Sequence, residues 1–129
     1  MIVTMTIDEK ILQSLKSAVT YLESSTFALD KKDESLLADN IWHVAAELEY
    51  ALFLLSIKTL NESDVSKLKS NPEFEKADVG SSLVYVKNLL NEAEEFVLSG
   101  QLQDAYKSAY VVRNCILKIK DDLAKKKEK

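Results

Sequence analysis

The amino-acid sequence predicts an all-α fold, an antiparallel up-and-down four-helix bundle made of two helical hairpins. Three observations predict it. Apolar residues recur at alternating three- and four-residue steps in four places, which lines one face of a helix. Gly occurs twice and Pro once in 129 residues, too few for a turn-rich β-sandwich or barrel. Within each pair of patterned segments the link is short and polar, which makes the two helices antiparallel neighbours. Residues 1–129 read as one domain with a flexible basic tail over about 124–129. With 47% apolar residues, a chain this long can bury roughly two-thirds of its unfolded surface.

The first helix is expected from about Thr6 to Ala28. Thr6 followed by Glu9 has the form of a capping box. Its stripe is Ile11, Leu15, Ala18, Leu22, Ser25 and Leu29, widened by Leu12 and Val19. Asp30-Lys31-Lys32-Asp33 is a polar turn.

The second helix is expected from about Glu34 to Leu60, capped by Asp33 or Ser35. One stripe is Leu37, Ile41, Val44, Leu48, Ala51 and Leu55. Trp42, Ala46, Phe53, Ile57 and Leu60 form a second stripe on the opposite side. A helix apolar on two faces is covered on two faces. The second face therefore lies under an extra segment of the chain or forms an interface with another molecule.

Residues 61–75 form a connector, with Val65 and Leu68 as the anchors of a short fifth helix. The third helix starts at Pro72 or Asp78 and ends near Ser99, with Gly100 at the position after its C-terminus. Its stripe is Val79, Leu83, Val86, Leu90, Ala93 and Val97, flanked by Leu89 and Phe96. Gly80 falls inside this helix at a cost of up to about 1 kcal/mol. The fourth helix runs from about Leu102 to Ala124 on Leu102, Ala105, Ala109, Val112, Ile116, Ile119 and Leu123.

Composition excludes several function classes. One Cys rules out a disulfide framework and any multi-Cys zinc site. No Gly-rich phosphate loop occurs. No run of about 18 apolar residues is present, so no membrane partner is expected. The start MIVTMTIDEK has neither the basic nor the apolar region of a secretory signal, which points to the cytoplasm. The net charge of −4 is unevenly spread. Residues 1–100 carry 9 basic and 17 acidic side chains, and residues 101–129 carry 8 basic and 4 acidic ones. Arg113 is the single arginine. Because arginine dominates phosphate recognition, nucleic acid is the less favoured partner.

Candidate chemistry is sparse. Asn40, His43 and Glu47 form a polar strip between the two apolar stripes of the second helix, with His43 expected to pair with Glu47. His43 is the only histidine, and di-iron bundles need two Glu-x-x-His motifs where this chain has Asn40 three residues before it. No metal, cofactor or catalytic residue is therefore assigned. Cys115 reads as a half-buried apolar residue, and Glu92, Glu94 and Glu95 as a solvated face. Tyr106, Tyr110, Arg113 and Leu117 are spaced 4, 3 and 4 apart, forming a ribbon beside the core stripe of the fourth helix. Trp, Tyr and Arg are enriched among interface hot spots. Trp42, Phe53, Ile57, Tyr106, Tyr110 and Arg113 are thus the candidate interaction surface. Otherwise the tyrosines cover the core edge while Arg113 pairs with an acid such as Glu47 or Glu49.

The stretch KKDESLLADNIWHVAAELEYALFLL, residues 31–55, leads from an acidic turn into an Ala- and aromatic-rich helix. Residues 98–120, LSGQLQDAYKSAYVVRNCILKIK, repeat that character. In this the chain resembles the HEPN superfamily of small helical bundles, in particular its archaeal members. Active members carry Arg, a polar residue, four variable residues and then His on the last helix. Arg113-Asn114 matches the start, and Ile119 stands where the His belongs. The resemblance implies an inactive, dimeric bundle, paired with a nucleotidyltransferase or another partner. The reading is a non-enzymatic module that forms a homodimer or docks on a protein partner. The rival readings are a degenerate HEPN-type ribonuclease using Arg113 and His43, a toxin–antitoxin component, or an RNA- or DNA-binding accessory subunit.

Overall fold

The computed structural model describes residues 6–59 and 78–127. Four helices make up the fold: α1 Ile7–Asp30, α2 Glu34–Thr59, α3 Val79–Leu98 and α4 Leu102–Lys127. The expectations for Leu60, the 61–75 connector and Pro72 lie outside the described residues.

Local chemistry sets the helix ends. Thr6 Oγ1 accepts from the Glu9 amide at 3.1 Å while Glu9 Oε1 accepts from the Thr6 amide at 3.2 Å, the expected capping box. The first hairpin turns at Lys32, whose φ is 58°. Asp33 then caps α2, its Oδ1 accepting from the Leu36 amide at 3.1 Å. Asp78 Oδ1 accepts from the Ser81 amide at 2.7 Å, which fixes the start of α3 at Val79. Gly100 ends the second hairpin with φ 80°, a backbone conformation that side chains with a Cβ adopt at a cost. α4 runs through Lys127, past the expected end at Ala124. Lysines in a last turn complement the helix dipole.

The core is built from the predicted stripes. Ile11, Leu15, Ala18, Leu22 and Ser25 of α1 are buried, as are Leu37, Ile41, Val44, Leu48, Ala51 and Leu55 of α2. Leu83, Val86, Leu90, Ala93 and Val97 face them from α3, and Ala105, Ala109, Val112, Ile116 and Ile119 from α4. At the end of α1 Ala28 is buried and Leu29 only partly so. Cys115 is fully buried, not half-buried, because it sits one step inside the stripe edge, next to Ile116.

Cross-helix pairs fix the arrangement. Lys58 meets Asp8 at 3.6 Å between the end of α2 and the start of α1. Lys87 of α3 meets Glu23 of α1 at 3.6 Å. Arg113 of α4 meets Glu49 of α2 at 3.0 Å. Each helix is therefore antiparallel to both neighbours, in the cyclic order α1, α2, α4, α3. α2 and α3 lie on a diagonal and point the same way, so Thr59 and Asp78 stand at opposite ends of the bundle. At the Asp78 end Ala28, Leu29, Leu37, Val79 and Leu123 line an open hollow of about 600 Å³. Among the described residues no helix is long and apolar enough to cross a membrane.

Candidate interaction face

Burying the Leu37-to-Leu55 stripe of α2 in the core turns its second apolar stripe outward. Trp42 is 61% exposed, Phe53 60% and Ile57 44%. Ala46 is exposed with them. Trp42 and Glu49 of this helix meet α4, where Tyr106, Tyr110 and Arg113 are half-buried along the same edge. The two stretches singled out separately in the sequence therefore form one continuous face.

Two cross-helix rungs hold this face in register. Lys120 Nζ lies 4.6 Å from the centre of the Trp42 ring. Arg113 Nη1 donates to Glu49 Oε1 at 3.0 Å. The rungs are seven residues apart on both helices, from 42 to 49 on α2 and from 120 to 113 on α4. Two turns of antiparallel helix repeat at that step, so both pairs reach across one groove at matching height. Below the Trp42 rung a hollow of about 170 Å³ lies between Ala38, Ile41, Leu123 and Ala124.

Arg113 is held from several sides. Its guanidinium carbon lies 4.9 Å from the centre of the Tyr110 ring. Its Nε donates to Asn114 Oδ1 at 3.2 Å. Tyr110 packs in turn on Tyr106, with centroids 6.3 Å apart and planes at 23°. Such stacking removes rotamer freedom from the aromatic and guanidinium groups before any partner arrives, and preorganisation lowers the cost of association.

The polar strip is arranged differently from the expectation. Asn40 is buried and its Nδ2 donates to the Leu36 carbonyl at 2.9 Å, a bond within its own helix. His43 is exposed, and its ring stacks on Tyr21 of α1 at 4.6 Å and 15°. Among the described residues no hydrogen bond or ion pair joins His43 to Glu47. The flat face of Tyr21, presented across the first hairpin, takes the imidazole instead. Glu47 borders a shallow polar hollow with Lys10, Gln13, Ser14, Ser17 and Tyr50.

The other titratable groups do not converge. His43 stacks toward α1 and Arg113 bonds across to α2 from α4, on the other flank of α2. Ile119, where the HEPN resemblance expects a histidine, is buried in the core. Burial, with smaller contributions from Cys115 and Glu92, raises the Tyr85 phenol above its ordinary value. Burial also raises the Glu94 carboxyl, partly offset by Lys16. Among the described residues no three His, Cys, Asp or Glu side chains cluster as metal ligands.

The sequence did not reveal the Lys120–Trp42 contact, which depends on the axial offset between two helices. The position of Lys120 directly after the core residue Ile119 was the only signal of a lysine at the core edge. No protein-family model, no curated protein and no solved structure matches this chain.

Proposed function

We propose that this chain is a non-enzymatic interaction module that docks a protein on the face shared by α2 and α4. One observation carries the reading. Trp42 and Phe53, the bulkiest apolar side chains of α2, stand about 60% exposed on one face, beside an edge of α4 that carries Lys120 at the Trp42 end and a stacked Tyr106–Tyr110–Arg113 ribbon further along. Clusters of Trp, Tyr and Arg dominate binding energy at interfaces. Contiguous apolar exposure rimmed by charge marks a contact site. The resemblance to HEPN bundles supports the same reading, since Arg113-Asn114 is present while Ile119 replaces the nuclease histidine.

A photo-crosslinking residue placed at Phe53 tests the proposal in cells that make the protein. A control residue at Val84, an exposed apolar position on α3, measures random capture. A discrete adduct at position 53 and none at 84 is the expected result. No adduct at 53, or equal capture at both positions, overturns the reading.

A further inference from the structure

We infer that the groove between α1 and α2 holds a binding site for a small, neutral, hydroxyl-rich molecule, a monosaccharide or a cyclic polyol. The site lies on the α1 flank of α2, away from the face shared with α4, and is independent of the docking reading. Its centre is a hollow of about 350 Å³ lined by Lys10, Gln13, Ser14, Ser17, Glu47 and Tyr50. Ligand pockets begin at roughly 300 Å³, so the space suits a small molecule and not a chain.

Ser14 carries the inference. It is 4% exposed and lines the hollow, yet its hydroxyl has no hydrogen-bond partner among the described residues. A helical serine or threonine can donate back to the carbonyl one turn earlier. Three others in α1 do so. Thr20 Oγ1 donates to the Lys16 carbonyl at 3.1 Å, Ser25 Oγ to the Tyr21 carbonyl at 2.8 Å and Thr26 Oγ1 to the Leu22 carbonyl at 3.2 Å. Ser25 is the close comparison, because it is buried too. Polar groups of buried residues are almost always paired, since desolvation is otherwise uncompensated. Ser14 opens on the hollow instead, where its partner is water or a ligand hydroxyl that replaces the water.

The register of the hairpin decides what surrounds that hydroxyl. The Asp8–Lys58 and Tyr21–His43 contacts set α1 against α2. At that register Tyr50 stands level with Ser14, and Glu47 level with Ser17. Lys10 lies one turn beyond Ser14, toward the Asp8 end. The ammonium and the carboxylate therefore start from levels about 10 Å apart along the groove. Both side chains are half-buried against the same hollow, and among the described residues no ion pair joins them. Between them stand two hydroxyls, the Gln13 amide and the Tyr50 phenol. One cation and one anion cancel, so a charged ligand meets a like charge at one end. A neutral polyol gains at both ends, because each of its hydroxyls donates and accepts. It donates to Glu47, accepts from Lys10, and exchanges bonds with Ser14, Ser17 and Gln13. Tyr50 offers an apolar ring with a hydroxyl at its edge, which matches a molecule with a C–H face and a polar rim.

Two measurements on the full chain test the site. The first needs no ligand. Ser25→Ala removes a bonded hydroxyl and is expected to lower the thermal midpoint, whereas Ser14→Ala is expected to leave it unchanged or raise it. An equal loss in both variants means that the Ser14 hydroxyl has a partner inside the fold, and overturns the inference. The second is a titration of the isotope-labelled protein with glucose, galactose, mannose and inositol at millimolar concentrations, read from backbone amide shifts. Glucuronate and glucosamine serve as the charged counterparts. At least one neutral probe is expected to give saturable shifts confined to the amides around residues 10–17 and 47–50, and to bind more tightly than either charged probe. Ser14→Ala and Glu47→Gln are each expected to weaken that binding about five- to tenfold, the effect of one lost hydrogen bond. Should either fail to fold, Tyr50→Ala, at an exposed position, replaces it and must weaken binding in the same sense. No saturable shift with any neutral probe overturns the inference. So do shifts that ignore the substitutions, and tighter binding of a charged probe.

Discussion

Arg113 Nη1 donates to Glu49 Oε1 at 3.0 Å across 64 residues of sequence, and this bond ties the edge of α4 to the edge of α2. Its side chains are 24% and 56% exposed, so water screens much of the attraction. Pairs of this kind contribute from nothing to about 1 kcal/mol to stability. Arg113→Ala should therefore lower chemical-denaturation stability by less than about 1.5 kcal/mol, counting lost packing on Tyr110. A double-mutant cycle with Glu49→Gln should give a coupling below about 1 kcal/mol. A larger coupling would mean that the pair secures the fold, and that any effect of these residues on association is indirect.

The two faces of α2 should respond in opposite ways to truncation. Leu48 is fully buried in the bundle core, and Leu48→Ala should cost about 2–5 kcal/mol. Phe53 is 60% exposed, and as an isolated surface position Phe53→Ala should change monomer stability by only about 0.5 kcal/mol. Urea unfolding of the two variants at a concentration that holds the chain monomeric measures both. A loss at Phe53 comparable to that at Leu48 would show that the side chain is needed by the monomer's own fold.

Why the core was legible, and the face only in pieces, follows from what periodicity encodes. A three-and-four-residue step marks which side of a helix is apolar, so the stripes from Ile11 to Leu22, Leu37 to Leu55 and Ala105 to Ile119 stand out in the sequence as the core they form. The same step revealed that Trp42, Phe53 and Ile57 lie off that core. Periodicity holds no information about how far one helix slides along another. The levels that pair Trp42 with Lys120 and Glu49 with Arg113 are set by packing between helices far apart in sequence. The alternative to an interaction surface, in which the tyrosines cover the core edge and Arg113 pairs with an acid, leaves Glu47 and Glu49 both open, and helix rotation decides for Glu49. For His43 the sequence shows a same-helix partner four residues away, Glu47, whereas Tyr21, on which its ring stacks, is brought beside it only by the hairpin. The parallel course of α2 and α3 was likewise invisible, since a connector's length does not fix which end of the bundle it reaches.

The two glycines should answer alanine substitution with opposite signs. Gly80 lies in the first turn of α3 with ordinary helical backbone. A Cβ there would stand 3.5 Å from Leu29 Cδ2 and 3.7 Å from Asp78 Oδ1, ordinary van der Waals contacts. Gly80→Ala should therefore stabilise the protein by about 0.4–1 kcal/mol, mainly by restricting the unfolded chain. Gly100 has open space around its Cα but φ at 80°. Gly100→Ala should destabilise by about 1 kcal/mol through backbone strain alone. Thermal midpoints rank the three proteins, and a stabilised Gly100→Ala would mean that the second hairpin turns without a left-handed residue.

Asp78 should give the bundle part of its acid sensitivity. The Ser81 amide, and then the Ser81 hydroxyl, hold its carboxyl below the ordinary value, with a small opposing effect of burial. The folded state therefore favours the ionised carboxylate. As pH falls, the unfolded chain takes up the proton first, so it binds more protons and stability declines with acidification. This contribution is complete above the ordinary carboxylate range and is lost as pH drops through the lowered folded value. Asp78→Asn keeps a side-chain oxygen for the Ser81 amide but removes the titration. Its thermal midpoint should sit below that of the wild type near neutral pH, and the gap should close toward pH values below the carboxylate range. Glu94, raised by burial, titrates in both proteins and drops out of the difference. Parallel midpoint curves for the two proteins across the acid range would show that the cap acts through its hydrogen bond alone, without its charge.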